Sequence, residues 1–191
     1  MLVGIAIILV VVAALIVYIV ALYNELVGLR ESIKVAWANI DVLLKQRHDE
    51  LPKLIETCKR YMQFEQETLE KVMRARASVS DASASGNVAA VGAAEQQLRS
   101  GMSRLFAVAE SYPQLKSDET FQQLQARITA LEESIADRRE LYNDQVNLNN
   151  IRVKVFPAVL VAEHFGFTTA HLLEFTADEK RDVDVGALFR A

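Results

Sequence analysis

The chain reads as an all-α protein: an N-terminal single transmembrane helix followed by an elongated antiparallel helical bundle of three long helices plus a short C-terminal helix. Three observations predict this. Residues 2–22 carry no charge and consist of Val, Ile, Leu and Ala, broken only by Gly4 and Tyr18. Beyond them, apolar residues recur at intervals of three, four or seven, the stripe of an amphipathic helix. Seven glycines and three prolines in 191 residues leave few places to turn, so the elements must be long.

An α-helix rises about 1.5 Å per residue, so Leu2 to Leu22 reaches about 31 Å, the thickness of a bilayer hydrocarbon core. Residues 1–23 are therefore expected to be a membrane anchor, with Leu2, Ile5, Leu9, Val12, Leu15, Ile19 and Leu22 meeting lipid. The competing reading is a cleaved secretory signal. That reading needs a basic leading region, a shorter apolar run and a small-residue cleavage site, and Tyr18, Ile19 and Leu22 stand where small residues would be wanted. Arg30 and Lys34 follow the span closely and no cation precedes it, which places the bulk of the chain in the cytoplasm.

After the span, Leu26, Leu29, Ile33, Trp37, Ile40, Leu44, Leu51, Leu54, Cys58, Met62, Leu69 and Val72 predict one helix from about 24 to 77. Pro52 either kinks it or opens a new helix, because its ring clashes with the carbonyl four residues back. Ser78 to Gly86 is rich in small, turn-forming residues and reads as an exposed loop. A second helix carries Val91, Leu98, Met102, Leu105 and Val108 and stops at Tyr112-Pro113.

The third helix is expected to begin near Ser117, with the serine hydroxyl as its cap and Asp118 and Glu119 in the positive first turn. Its heptad runs through Phe121, Leu124, Ile128, Leu131, Ile135, Arg138, Tyr142, Gln145 and Asn149. The polar positions Arg138, Gln145 and Asn149 either sit on a core seam, where they set register or partner, or rotate to its edge as an ideal helix drifts against a seven-residue repeat. Phe156-Pro157 ends this helix. Ala158 to Phe167 is a short apolar run closed by Gly166, either a cap on the bundle or a segment resting on lipid. The bundle domain is thus expected over 24–170, and residues 171–191 form a polar tail expected to be mobile.

Two further inferences come from lengths and charge. If the first long helix is continuous, two shorter partners need not cover the stretch from Leu26 to Leu44. An apolar seam including Trp37 would then be left for self-association near the membrane. The net charge of −4, with both signs interspersed, lacks the concentrated basic face that phosphate binding needs and excludes a nucleic-acid partner.

No catalytic constellation emerges. Cys58 and His48 are the one thiol and imidazole pair, and Cys58 lies on the apolar stripe, where a thiol packs inertly. A di-iron bundle needs paired Glu-x-x-His motifs, and there are none. His48, His164 and His171 lack zinc-type spacing. There is no phosphate-binding glycine loop and no Gly-x-Ser-x-Gly turn. Arg74, Arg76 and the run from Asp137 to Glu140 fit solvated helix faces. No enzyme activity, cofactor or metal is expected.

The segments Tyr23-Asn24-Glu25-Leu26-Val27-Gly28-Leu29-Arg30, Ala36-Trp37-Ala38-Asn39-Ile40-Asp41-Val42-Leu43-Leu44-Lys45 and Leu51-Pro52-Lys53-Leu54-Ile55-Glu56-Thr57 resemble the N-terminal signature of LemA-family proteins. The similarity continues in order through Thr68-Leu69-Glu70, Ala75-Arg76, Leu105 to Lys116, Phe121, Leu124-Gln125, Tyr142-Asn143 and Phe156-Pro157, covering about residues 23–170. It implies a bacterial-type protein of the inner membrane with one N-terminal span and an antiparallel helical bundle, and it brings no catalytic residues. The chain departs from the family where Cys58 takes a usually aliphatic position and Asn149 a commonly aromatic one.

The expected function is that of a membrane-anchored helical scaffold acting by protein–protein binding and self-assembly. The alternatives are an adaptor for a membrane-bound enzyme such as an envelope protease, and a membrane-remodelling scaffold using Ala158 to Phe167. The expected partners are membrane lipid, further copies of the chain, and a membrane protein. The expected interaction residues are Trp37, Asn39 and Asp41 near the membrane and Arg138, Tyr142 and Asn143 on the third helix. A buried aromatic such as Trp37 is more often a core residue, and Asn39 and Asn143 either pair across helices or lie in solvent.

Overall fold

The apolar periodicity produces helices and no strand among residues 2–174, the part of the chain that the computed structural model describes. The elements are α1 (Leu2–Lys59), α2 (Gln66–Ala84), α3 (Val88–Ala109), α4 (Pro113–Lys116), α5 (Glu119–Arg152) and α6 (Ala158–Phe165). The all-α class and the long apolar N-terminal helix are as the sequence predicts. The chain divides into two units, Met1–Leu43 with Ser134–Leu172 and Leu44–Glu133 with Leu173–Ala191. Beyond Glu174 the expected mobile tail lies outside the described residues.

In the first unit, α1 carries the uncharged stretch, which is long and apolar enough to cross a membrane. Leu2, Ile5, Leu9, Val12, Leu15 and Ile19 are exposed, whereas Leu22 is buried. Further along, α1 runs antiparallel to the second half of α5, with Glu25 beside Arg152 and Trp37 beside Tyr142. The seam expected to stay uncovered is therefore covered in part by α5. Leu26 and Ile40 are buried and Trp37 is half-buried, because α5 is long enough to return along α1. The chain then turns through a cis Phe156–Pro157 peptide into α6. Leu22, Leu26, Val153, Ala158, Val161 and Ala162 form one small core. Gly166, at φ 73°, ends α6 in the left-handed region that favours glycine, and the Phe167 amide closes the turn onto the Ala162 carbonyl at 2.9 Å.

The seam of α5 differs from the expected heptad by one position. Over this half the buried residues are Ile135, Arg139, Tyr142, Val146 and Asn149. Arg138 and Gln145 thus leave the seam, Arg138 for the exposed surface, as the straight helix drifts against a seven-residue repeat.

The second unit corrects two helix ends. The helix expected over 24–77 stops at Lys59, and α2 folds back after the turn at 60–65. The amides of Tyr61 and Met62 both bond the Cys58 carbonyl, at 3.0 and 2.8 Å, and Met62 is fully buried. Burial of Met62, with the α1–α2 packing the turn allows, outweighs continuing the helix. Conversely, the loop expected from Ser78 is helical to Ala84. Val79 is buried, and Ser78 satisfies its hydroxyl on the Arg74 carbonyl at 3.2 Å. The real turn is Ser85 to Asn87, where Gly86 has φ 66° and the Asn87 side chain caps α3 by accepting from the Ala90 amide at 3.1 Å.

The cap of α5 is Asp118, not Ser117. Asp118 accepts from the Phe121 amide and from the Tyr61 hydroxyl, both at 2.9 Å, and these bonds hold its carboxyl below the usual range. The core of this unit draws Leu51, Leu54, Cys58 and Met62 from α1, Leu69 and Val72 from α2, Leu98, Met102 and Leu105 from α3, and Phe121 and Ile128 from α5. Leu173 is also buried, in contact distance of a Cβ built at Gly92, so the chain is packed beyond residue 170.

Candidate functional site

Two faces of the α1–α5 pair in the first unit hold most of the residues singled out from sequence. On one face, the Trp37 and Tyr142 rings lie 5.5 Å apart at 60°. Tyr142 donates its hydroxyl to the His171 carbonyl at 3.0 Å. Two helical turns further along, Asn149 donates to the Thr168 carbonyl at 3.1 Å. Asn150 both donates to the Ala170 carbonyl at 2.9 Å and accepts from the Ala170 amide at 2.8 Å. An amide side chain satisfies both groups of one peptide in this way, as a neighbouring strand would. Tyr142, Asn149 and Asn150 thus strap the extended segment 168–171 to α5. Tyr142 is buried, and burial raises its hydroxyl pKa. Trp37 and Tyr142 are accordingly directed at each other and at the chain's own strap.

The other face carries an open groove of about 460 Å³ between α1 and α5, lined by Gly28, Val35 and Asn39 on one side and Arg138, Leu141 and Gln145 on the other. Asn39 and Arg138 therefore share a site. Val35 and Leu141 are exposed large apolar residues in it, and Val42 and Leu148 are exposed on the same two helices. Asp41 is exposed and Asn143 half-buried, and neither lines this groove.

Sequence reasoning missed a buried ionic cluster in the second unit. Arg47, 1% exposed, gives Nη2 to Glu95, itself 2% exposed, and Nη1 to Glu132. Arg99 reaches the other oxygen of Glu132 at 3.4 Å. Burial opposes the Arg47 charge, but the two carboxylates outweigh it and its pKa lies above the ordinary value. The signal was present as two gaps of seven in the apolar stripes. Arg47 fills the core position between Leu44 and Leu51, and Glu95 fills the one between Val91 and Leu98.

Cys58, the candidate nucleophile, is fully buried, and burial pushes its pKa to about 12. Such a thiol stays protonated and unreactive near neutrality. His48 lies ten residues earlier on the same helix, about 15 Å along its axis, so the two cannot form a pair. Among the described residues no group of three His, Cys, Asp or Glu is placed to hold a metal ion.

Two curated relatives, Magnetosome protein MamQ 1 and Magnetosome protein MamQ 2 of Paramagnetospirillum magneticum, are each 23% identical over 177 residues, covering 80% of this chain and 64% of theirs. The chain thus spans just under two thirds of the length of these relatives. The LemA family model matches residues 36–186, which include Trp37, the Pro52 segment, both ionic partners of Arg47, and the Tyr142 to Asn150 face of α5. The chain belongs to the LemA family.

Proposed function

We propose that the protein is a membrane-anchored helical scaffold that works by binding and self-assembly rather than by chemistry. The observation that carries this is the pairing, within one unit, of an exposed membrane-length apolar stretch with the open groove of Val35, Asn39, Arg138 and Leu141. The occupant of the groove is a second copy of the chain. Copies held by the same apolar helix share one orientation in the bilayer, so residues at equal height meet side by side. Val35 and Leu141 line the groove from its two sides. Confinement to a plane also raises the effective concentration of copies, so a small apolar patch suffices. The burial of Cys58 supports the absence of thiol chemistry. Arg30 and Lys34, just beyond the span, support a cytoplasmic position for the bulk of the chain at the bacterial inner membrane.

The test is mild-detergent extraction followed by mass determination and imaging. Homogeneous multiples of the chain that fall to monomers in Val35→Asp with Leu141→Asp, at unchanged helical circular dichroism, carry the reading. A monomer in the unaltered protein removes it, and one stoichiometric foreign partner replaces it with the adaptor.

A further inference from the structure

The exposed apolar surface does not stop where the span ends. Leu22 and Leu26 are buried beneath Val153, Ala158, Val161 and Ala162, so α6 is clasped onto α1 at the turn where the uncharged stretch runs out. The Tyr23 ring meets Phe165 edge-on at 4.9 Å and Phe167 at 5.6 Å. The first charge after the span, Glu25, is already paired with Arg152 at the end of α5. Phe156, however, is 75% exposed and Leu160 59%, Val155 is also open, and Phe165 stays half open to solvent beside Tyr23. Tyr18 and Ile19, in the turn of α1 before Tyr23, are exposed as well.

We infer that α6 and the end of α5 rest in the lipid interface, forming a second membrane contact beside the spanning helix. The inference rests on the reading that residues 2–22 cross a bilayer. Because α1 is unbroken from Leu2 to Leu26, that reading fixes the height of α6 at the boundary between headgroups and acyl chains. A soluble partner covering Phe156 and Leu160 would have to displace lipid already present at that level. The chemistry fits the boundary. Aromatic rings and long cations favour it, and the exposed Lys154 can extend its amine to the phosphates while its stem lies along apolar surface. Glu163 and His164 follow Leu160 on the outer side of α6 and are exposed, which sets the helix at headgroup depth and not within hydrocarbon. Held at two points, the unit of α1, the second half of α5 and α6 cannot swing freely about the end of its anchor.

The experiment uses the full chain in vesicles of phosphatidylcholine and phosphatidylglycerol that carry a nitroxide either near the carbonyl end or near the methyl end of the acyl chain. Trp37→Phe supplies a tryptophan-free background, into which Phe156→Trp, Leu160→Trp or Leu9→Trp is placed. Phe156→Trp and Leu160→Trp are expected to lose emission to the shallow label and to emit to the blue of the same variants unfolded in denaturant. Leu9→Trp is expected to lose emission to the deep label, and the unaltered protein, with Trp37 about 21 Å beyond Tyr23, to neither. If Leu9→Trp is quenched by the deep label while both α5–α6 variants stay unquenched, the interfacial seat is wrong and the span stands. If Leu9→Trp is itself unquenched by the deep label, the spanning reading fails and this inference falls with it.

Discussion

Arg76 on α2 donates its Nε hydrogen to the backbone carbonyl of His48, in the last quarter of α1, at 2.8 Å. That carbonyl is the one left without a helical partner, because the residue four positions on is Pro52, which has no N–H. A side chain from the neighbouring helix supplies the missing donor, and α1 continues through the proline to Lys59. The cost of the proline is thereby offset by an interhelical bond.

Removing that donor should cost about 1–3 kcal/mol, since a carbonyl in the helix interior would be left unpaired. Arg76→Met is expected to lower the unfolding midpoint in mild detergent, and the same change in a Pro52→Ala background to lower it less. An equal loss in both backgrounds would show that Arg76 acts through something other than the freed carbonyl.

The Arg47 cluster predicts a marked asymmetry. Arg47→Met leaves Glu95 buried without its cation and should cost about 3–5 kcal/mol, whereas Arg47→Met with Glu95→Leu should recover much of the loss. Denaturant unfolding of the single and double variants measures this. A double variant no better than the single would argue that the pair is not isolated in the core.

Cys58 should not react with an aromatic disulfide reagent at pH 8 while the chain is folded, because burial holds its pKa at about 12. Added denaturant should release one equivalent at once. Rapid labelling of the native protein would mean that this part of α1 opens readily.

His48 should make stability fall as pH drops. Burial, followed by the nearby Arg76, lowers its folded pKa below 6.5, so the unfolded chain takes up the proton first. The contribution is complete above about pH 6.5, the unfolded pKa, and fades as pH falls through that value toward the folded one. Comparing thermal midpoints of the protein and of His48→Gln at pH 8 and pH 5 tests the sign, with the variant expected to show the flatter profile.

The strap predicts a local effect. Asn150→Ala removes both bonds to Ala170 and should speed hydrogen exchange of the Ala170 amide without changing protection in α1. Unchanged exchange would mean that Tyr142 and Asn149 suffice to hold the segment.

The residues alone established the apolar stretch from Leu2 to Leu22, the helical class, the inert placement of Cys58 on a core stripe, and the family resemblance, because each is written in local composition and periodicity. They also marked Pro52 as a point of tension in α1. Only the tertiary structure decided the rest. The turn at 60–65 carries no glycine or proline, and it exists because burying Met62 lets α2 pack back on α1. Ser78 to Ala84 is helical because Val79 has a core to enter. Arg139 replaces Arg138 on the seam of α5 because a straight helix rotates against a strict heptad. Arg47, Glu95 and Glu132 come from three separate helices, so no local pattern brings them together. Local sequence sets which conformations are cheap; contacts between distant residues select among them, and those contacts have no local signature.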